Sequence, residues 1–204
     1  MEEGQMKDPN NDTLAYYDTH ADAFYHSTVQ VDFTAMQERF LTKLQKGSDI
    51  LDFGCGSGRD IRYFLEQGYG VEAVDGSEKM CKLAGAYTGI KVKHQRFQEL
   101  SEVERYDGIW ACASILHLPM EELSMVLGRM AAALKKHGVI YTSFKYGTFA
   151  GVRNGRYFTD MTEASFAELL RDIDGLTVEE QWTTWDVRPG RGEEKWLNLI
   201  LRKK

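Results

Sequence analysis

Apolar positions along the chain fall into two alternating rhythms. Asp49–Phe53 is a short apolar run, with the length and character of a buried strand. Ile61, Phe64 and Leu65 follow at helical spacing, in a helix predicted to run to Gln67 with Gly68 just past its end. The alternation then continues. Gly70–Val74 reads as a second strand ending at Asp75, and Ser77 as the cap of a helix carrying Met80, Leu83, Ala84 and Tyr87. Ile90–Gln95 is a weaker third strand and Tyr106–Ala113 a fourth. Pro119 opens the clearest helix, with Leu123, Val126, Leu127, Met130, Ala131 and Leu134 on one stripe and Gly138 at its end, and Val139–Phe144 is the fifth strand. Strands alternating with helices at this interval predict an α/β fold, a parallel sheet covered by helices on both faces.

The two ends break the rhythm. Residues 13–46 read as two helical pieces, the first with Leu14, Tyr16, Tyr17, Ala21, Phe24 and Tyr25, the second with Phe33, Met36, Phe40, Leu41 and Leu44. Residues 1–12 are polar and predicted to fray. Toward the other end Phe166, Leu169, Leu170 and Ile173 mark a helix. Leu176–Val187 and Lys195–Leu201 then read as strands joined through Arg188-Pro189-Gly190-Arg191-Gly192. So short a link cannot hold a helical crossover, which makes these two strands antiparallel neighbours. The organisation is therefore a frayed 1–12 and a single domain over 13–204, with a helical cap at 13–46 and a core at 49–204.

Composition narrows the classes. A chain of 204 residues with 43% apolar side chains can bury one substantial core, which excludes bulk disorder. The net charge of −6, from 25 basic and 31 acidic residues, argues against nucleic acid as a partner, because phosphate neutralisation supplies most of that affinity. No apolar run approaches the roughly 20 residues that a membrane-spanning helix needs. Met1–Asn10 does not read as a signal peptide and three cysteines make no disulfide framework, so the expected compartment is the cytoplasm. His94 and His117 lack partners at ligand spacing, and no C-x-x-C or H-E-x-x-H occurs, so no metal is expected.

The strongest chemical signal is Ile50-Leu51-Asp52-Phe53-Gly54-Cys55-Gly56-Ser57-Gly58. Glycines there permit a tight turn and let a ligand touch backbone, between a strand and a helix N-terminus. Asp75 ends the next strand, where a carboxylate can accept from both hydroxyls of a ribose. A dinucleotide fingerprint spaces its glycines differently and sets a pyrophosphate on the helix N-terminus. Asp52 would oppose a pyrophosphate and suits a cationic ligand, such as the sulfonium and ammonium of S-adenosylmethionine; a nicotinamide cofactor is the competing reading.

With these residues the sequence resembles the class I S-adenosylmethionine-dependent methyltransferases over about residues 13–201. The resemblance rests on Leu51–Gly58, Val74-Asp75 and Tyr106-Asp107-Gly108-Ile109-Trp110-Ala111-Cys112-Ala113-Ser114-Ile115-Leu116-His117. The last stretch resembles a bacterial tellurite-resistance-type, or small-molecule, subgroup. The resemblance implies a Rossmann-like seven-stranded sheet, mostly parallel, with its last strand antiparallel and an N-terminal helical lid. It implies that Gly54, Cys55 and Gly56, with Ser57 in the same turn, pass against the methionine part of the donor. Asp75 would hold the ribose, Gly76, Ser77 and Met80 would flank the adenine, and Phe97 and Gln98 would lie near its amine. Ala111, Cys112 and Ala113 would sit beside the sulfonium. Tyr16, Tyr17 and Tyr25 would belong to a segment, residues 13–33, that closes over the donor.

The acceptor is narrowed by absence. The [N/D]-P-P-[Y/F] turn of base-amine enzymes and the Asp/Asn cluster of metal-dependent catechol enzymes are missing after the fourth strand. Glu121-Glu122 opens a helix, where acidic charge suits the macrodipole. A small-molecule acceptor is the default, methylated by in-line displacement for which alignment and exclusion of water matter most. His117 is either a structural or capping side chain or an acceptor-side general base. Arg153–Tyr157, with Lys145 upstream, is either a solvated loop or a lid over the acceptor. Cys55, Cys81 and Cys112 read as small fillers. Two other functions fit the same residues: a non-catalytic S-adenosylmethionine-binding regulator or partner subunit, and an RNA-directed methyltransferase.

Overall fold

The computed structural model describes residues 9–188 and 190–204. A seven-stranded sheet runs in the order β3-β2-β1-β4-β5-β9-β8. Its strands are β1 (Asp49–Phe53), β2 (Gly70–Asp75), β3 (Val92–His94), β4 (Tyr106–Ala111), β5 (Leu134–Lys145), β8 (Leu176–Trp185) and β9 (Lys195–Lys203). The first five pair in parallel, and β9 runs antiparallel between β5 and the edge strand β8. The helices are α1 (Pro9–Thr19), α2 (Ala21–Thr28), α3 (Thr34–Leu41), α4 (Arg59–Glu66), α5 (Glu78–Thr88), α6 (Met120–Ala133) and α7 (Glu163–Leu170).

Both faces are covered, as strand–helix alternation requires. On one face Leu123, Val126, Leu127 and Met130 of α6 and Phe166 and Leu169 of α7 pack on Leu51, Ile109, Ile140 and Leu199. On the other, Phe40 of α3 and Phe64 of α4 meet Ile50, Trp110, Tyr141 and Ile200. Trp110 and Tyr141 stack with centroids 4.0 Å apart. Ile61 of α4 closes on Cys81 and Ala84 of α5 above Ala73.

Several boundaries differ from the sequence reading. α1 begins at Pro9, inside the stretch expected to fray; residues 1–8 lie outside the described residues. The first helical piece breaks at His20 into α1 and α2. The helix opened by Pro119 ends at Ala133, not at Gly138. Leu134 already pairs with Tyr106, and residues 135–138 bulge out before Val139 pairs with Gly108. A side chain on Gly138 would sit 3.0 Å from two backbone carbonyl oxygens in that bulge, so glycine there serves the strand. β4 stops at Ala111 rather than Ala113, because Ala113 takes φ +49° and turns the chain away. The loop joining β8 to β9 contains Pro189, which lies outside the described residues.

Residues 150–159 form an element that sequence reading treated as a loop or lid. Strands β6 (Ala150–Arg153) and β7 (Arg156–Thr159) make an antiparallel hairpin. Asn154 and Gly155, at φ +50° and +77°, form its turn. Two consecutive positive φ angles define the turn whose twist matches a hairpin, and Asn-Gly is its preferred sequence.

Candidate functional site

The turn after β1 opens at the carboxyl ends of the parallel strands, where α/β sheets bind ligands. Gly54 and Cys55 donate their amides to Val74 O at 3.0 and 3.1 Å, which ties the turn to the end of β2. Gly54, Gly56 and Gly58 all take positive φ. Gly54 is the most constrained: a side chain there would meet Ser114 Cβ at 2.5 Å and the Phe97 ring at 3.0 Å. The Asp75 carboxylate faces the turn, accepting from the Gly56 amide at 2.9 Å and the Ser77 amide at 2.8 Å. Burial raises its pKa, and these backbone bonds work against that rise.

Beside the turn lies a cavity of about 220 Å³. A single water needs about 10–15 Å³ by the same measure, so the space is that of a small molecule. Gly54, Cys55, Gly56 and Ser57 line it with Asp75, Gly76 and Met80. Phe97, Gln98, Cys112, Ala113, His117 and Tyr17 complete the wall predicted from sequence. Five predicted residues do not reach it. Ala111 is fully buried in β4. Ser77 instead caps α5 and donates to Asp18 at 2.5 Å. Tyr16 stacks on His20 and packs against Gly155. Tyr25, carried past the break at His20, packs edge-on against Tyr87. Asp52 is buried behind the turn, and its Oδ2 has no hydrogen-bond partner among the described residues.

A second carboxylate, Asp60, governs the electrostatics beneath the turn. It accepts from Gln37 at 2.6 Å, Trp110 at 2.9 Å and the Arg59 guanidinium at 2.8 and 2.9 Å. Burial pushes it up, but Arg59 and the other donors outweigh burial and hold it below the ordinary carboxylate range. Asp52 has no such donors, so burial and the neighbouring Asp60 charge hold it well above that range. Burial likewise keeps the Cys55 and Cys112 thiols protonated, Cys112 at about 12.

His117 follows β4 and is enclosed. Its Nδ1 lies 2.6 Å from Tyr157 O and its Nε2 lies 2.8 Å from the Tyr17 hydroxyl. A carbonyl only accepts, so Nδ1 carries the proton and Nε2 accepts from Tyr17. Burial lowers the imidazole pKa to about 4. The ring is neutral near pH 7 with both nitrogens engaged.

Of the acceptor side of the cavity, sequence reading offers only Arg153–Tyr157, with Lys145 upstream, as a loop or lid. Lys145, Arg156, Phe158, Trp185, Arg188 and Trp196 line that side, from β5, the β6–β7 hairpin and the β8–β9 turn. Asn154-Gly155 was the local signal that places Arg156 there; nothing local marks Trp185 and Trp196. Asp186 joins these two sides, accepting from Arg188 and from Trp196 Nε1 at 3.1 Å.

Comparison with known proteins agrees with this geometry. Residues 50–138 match the family model of a methyltransferase domain. The fold is similar to Burkholderia thailandensis 1,6-didemethyltoxoflavin-N1-methyltransferase, crystallised with 1,6-didemethyltoxoflavin and S-adenosylhomocysteine. The identity is 25%, the TM-score 0.76, and the match covers 99% of this chain and 93% of that one. It is also similar to Synechocystis magnesium protoporphyrin IX methyltransferase with bound S-adenosylmethionine, at 18% identity and TM-score 0.75, over 98% of this chain and 100% of that one. A TehB-like S-adenosylmethionine-dependent methyltransferase from Corynebacterium glutamicum matches at 21% identity and TM-score 0.70, over 93% and 99%. No curated protein sequence matches the chain.

Proposed function

We propose that this methyltransferase binds S-adenosylmethionine at the glycine turn and methylates a small molecule held in the other half of the same cavity. One observation carries the reading: a single cavity runs from the Gly54–Ser57 backbone and Asp75 to Arg156, Phe158 and Trp196. The turn fits the donor. Gly54, Gly56 and Gly76 present bare backbone, where a side chain would meet Ser114, Phe24 and Leu14 at 2.5, 3.3 and 2.5 Å. Asp75 stands at the wall for ribose hydroxyls, and Met80 and Phe97 supply apolar surface for a base. When bound, the donor supplies a methyl group already activated on a sulfonium, so the protein's part is alignment and exclusion of water. Tyr17 and Leu14 of α1 line the same cavity. His117 acts as a positioning residue, fixing the Tyr17 hydroxyl through Nε2. The small-molecule, tellurite-resistance-type character of residues 106–117 belongs to the same proposal.

Calorimetric titration with S-adenosylhomocysteine, paired with a panel of small-molecule acceptors, tests it. The protein is expected to bind the product and to form it from S-adenosylmethionine only when an acceptor is present. Asp75→Ala is expected to lose about 1.5–3 kcal/mol of affinity, the scale of hydrogen bonds to a charged group. A folded protein that does not bind the product overturns the reading. Binding with no acceptor-dependent turnover makes it a non-catalytic binder, and turnover on RNA alone makes it RNA-directed.

A further inference from the structure

Among the described residues, six cationic side chains line the cavity, and five of them already have a partner. Arg59 pairs with Asp60, Lys145 and Arg191 with Glu194, and Arg188 with Asp186. The exposed Arg96 donates to Asn11 at 2.6 Å. Arg156 has no carboxylate partner among the described residues. Its Nη1 lies 3.4 Å from the Tyr17 hydroxyl, and its Nε is buried with no hydrogen-bond partner among the described residues.

The surroundings make this more than a loose surface arginine. The guanidinium is held over three rings, with its carbon 4.7 Å from the Tyr16 centroid, 5.2 Å from Phe158 and 5.8 Å from Tyr17. Directly opposite in the hairpin register stands another arginine, Arg153. Like charges facing across a strand pair are destabilising, and the acidic residue at hand, Asp160, is taken by Arg153. A partly desolvated guanidinium is costly unless an anion or hydrogen-bond acceptors offset it. This one faces a cavity large enough for a small molecule. The same half of the cavity is walled by flat apolar surface from Phe158, Trp185 and Trp196.

Resting on the reading above, we propose that the acceptor is an organic anion with a planar apolar body, and that Arg156 is the side chain that recognises its charge. The planar fork of Arg suits a carboxylate or an enolate-like oxygen better than a point charge would. An acceptor methylated on its anionic oxygen has no proton to give up at that atom. The cavity then has no need of a free base, which agrees with His117 having both nitrogens engaged. A carboxylate is also present on the donor itself, so the test must separate the two sources.

The probes are benzoate, its neutral isostere benzamide, and acetate. Each is titrated into the protein saturated with S-adenosylhomocysteine and followed by saturation-transfer NMR and calorimetry. Benzoate is expected to bind, at least about tenfold more tightly than benzamide or acetate. Arg156→Gln should lose that preference, and Arg156→Lys should recover only part of it. Affinity for S-adenosylhomocysteine, measured separately on the same variants, should stay within about twofold. No binding of benzoate, or equal binding of benzamide, overturns the anionic acceptor, and equal binding of acetate overturns the planar body. Unchanged benzoate binding by Arg156→Gln, or a loss of product affinity in its place, shows that the guanidinium serves another group, the donor carboxylate in the second case. Failure of the wild-type protein to bind S-adenosylhomocysteine would instead strike the underlying reading.

Discussion

At the scale of single residues, burial decides protonation in this site, and the sign differs between groups. His117 is neutral in the fold, with a pKa lowered to about 4 by burial, whereas an imidazole in the unfolded chain titrates near 6.5. Between these values the unfolded chain binds the extra proton, so this group makes stability rise with pH from about 4 to 6.5, by up to roughly 3 kcal/mol. Asp52 and Asp75 are raised by burial, and they act in the opposite sense, weakening the fold as pH climbs through the acidic range. The wild-type profile therefore mixes both signs, and a difference measurement isolates one. Urea unfolding of wild type and His117→Gln at pH 4.5 and 7.5 should show that the variant gains less from the higher pH. Equal gains would mean that the imidazole is charged in the fold. The chemistry of Asp75 and the glycine turn was legible in the sequence because both lie in one short stretch around two strand ends. The isolation of Arg156 was not, since it depends on Asp160 being taken by Arg153 and on rings that α1 brings from 139–140 positions away.

Among the elements, α1 differs most from the rest in how it is held. Thr13 is its one buried side chain among the described residues, and its ties are mainly polar. Asn10 donates to Glu122 at 2.7 and 2.8 Å, Thr13 accepts from the Tyr157 amide at 3.0 Å, and Asp18 accepts from Ser77. Leu14 lies over Gly76 at the cavity wall. By contrast, α6 buries six side chains in the core. Elements with few buried apolar contacts open first. Amide exchange in residues 13–33 should therefore be faster than in α6 and should slow when S-adenosylhomocysteine is added. The same rate with and without the ligand would make α1 and α2 a fixed part of the fold rather than a lid. The apolar stripe of residues 13–46 made these helices visible in the sequence, but not the break at His20, which moves Tyr25 away from the cavity. The β6–β7 hairpin carried an Asn-Gly signal, yet its strands are only four residues each and β6 buries none of its side chains, so the usual apolar alternation is faint there. The bulge at 135–138 left no signal that separates it from a helix end.

For the whole molecule, strand order fixes where a ligand can sit. The chain builds β1, β2 and β3 outward on one side, then crosses β1 to begin β4 on the other. Connections leaving β1 and β4 part at that crossing, and the crevice between them holds the glycine turn and Ala113. This much follows from strand–helix alternation, and the short link between the last two strands explains why β9 alone runs against the others. A ligand seated in that crevice contacts β1, β2, β4, α1 and the hairpin together, so its binding energy should appear as stability of the entire fold. At a hundredfold excess over Kd, a ligand that binds only the native state contributes about 2.7 kcal/mol. For a chain of this size each kcal/mol moves Tm by about 2–4 °C, so saturating S-adenosylhomocysteine should raise Tm by about 5–11 °C. NAD and FAD should give no shift at the same concentrations, because the 54, 56, 58 glycine spacing is not that of a dinucleotide turn and the Gly56 amide is already taken by Asp75. A saturable shift with either dinucleotide, at micromolar levels, would mean that the turn binds phosphate after all. It would also undo the assignment of the crevice to a cationic methyl donor.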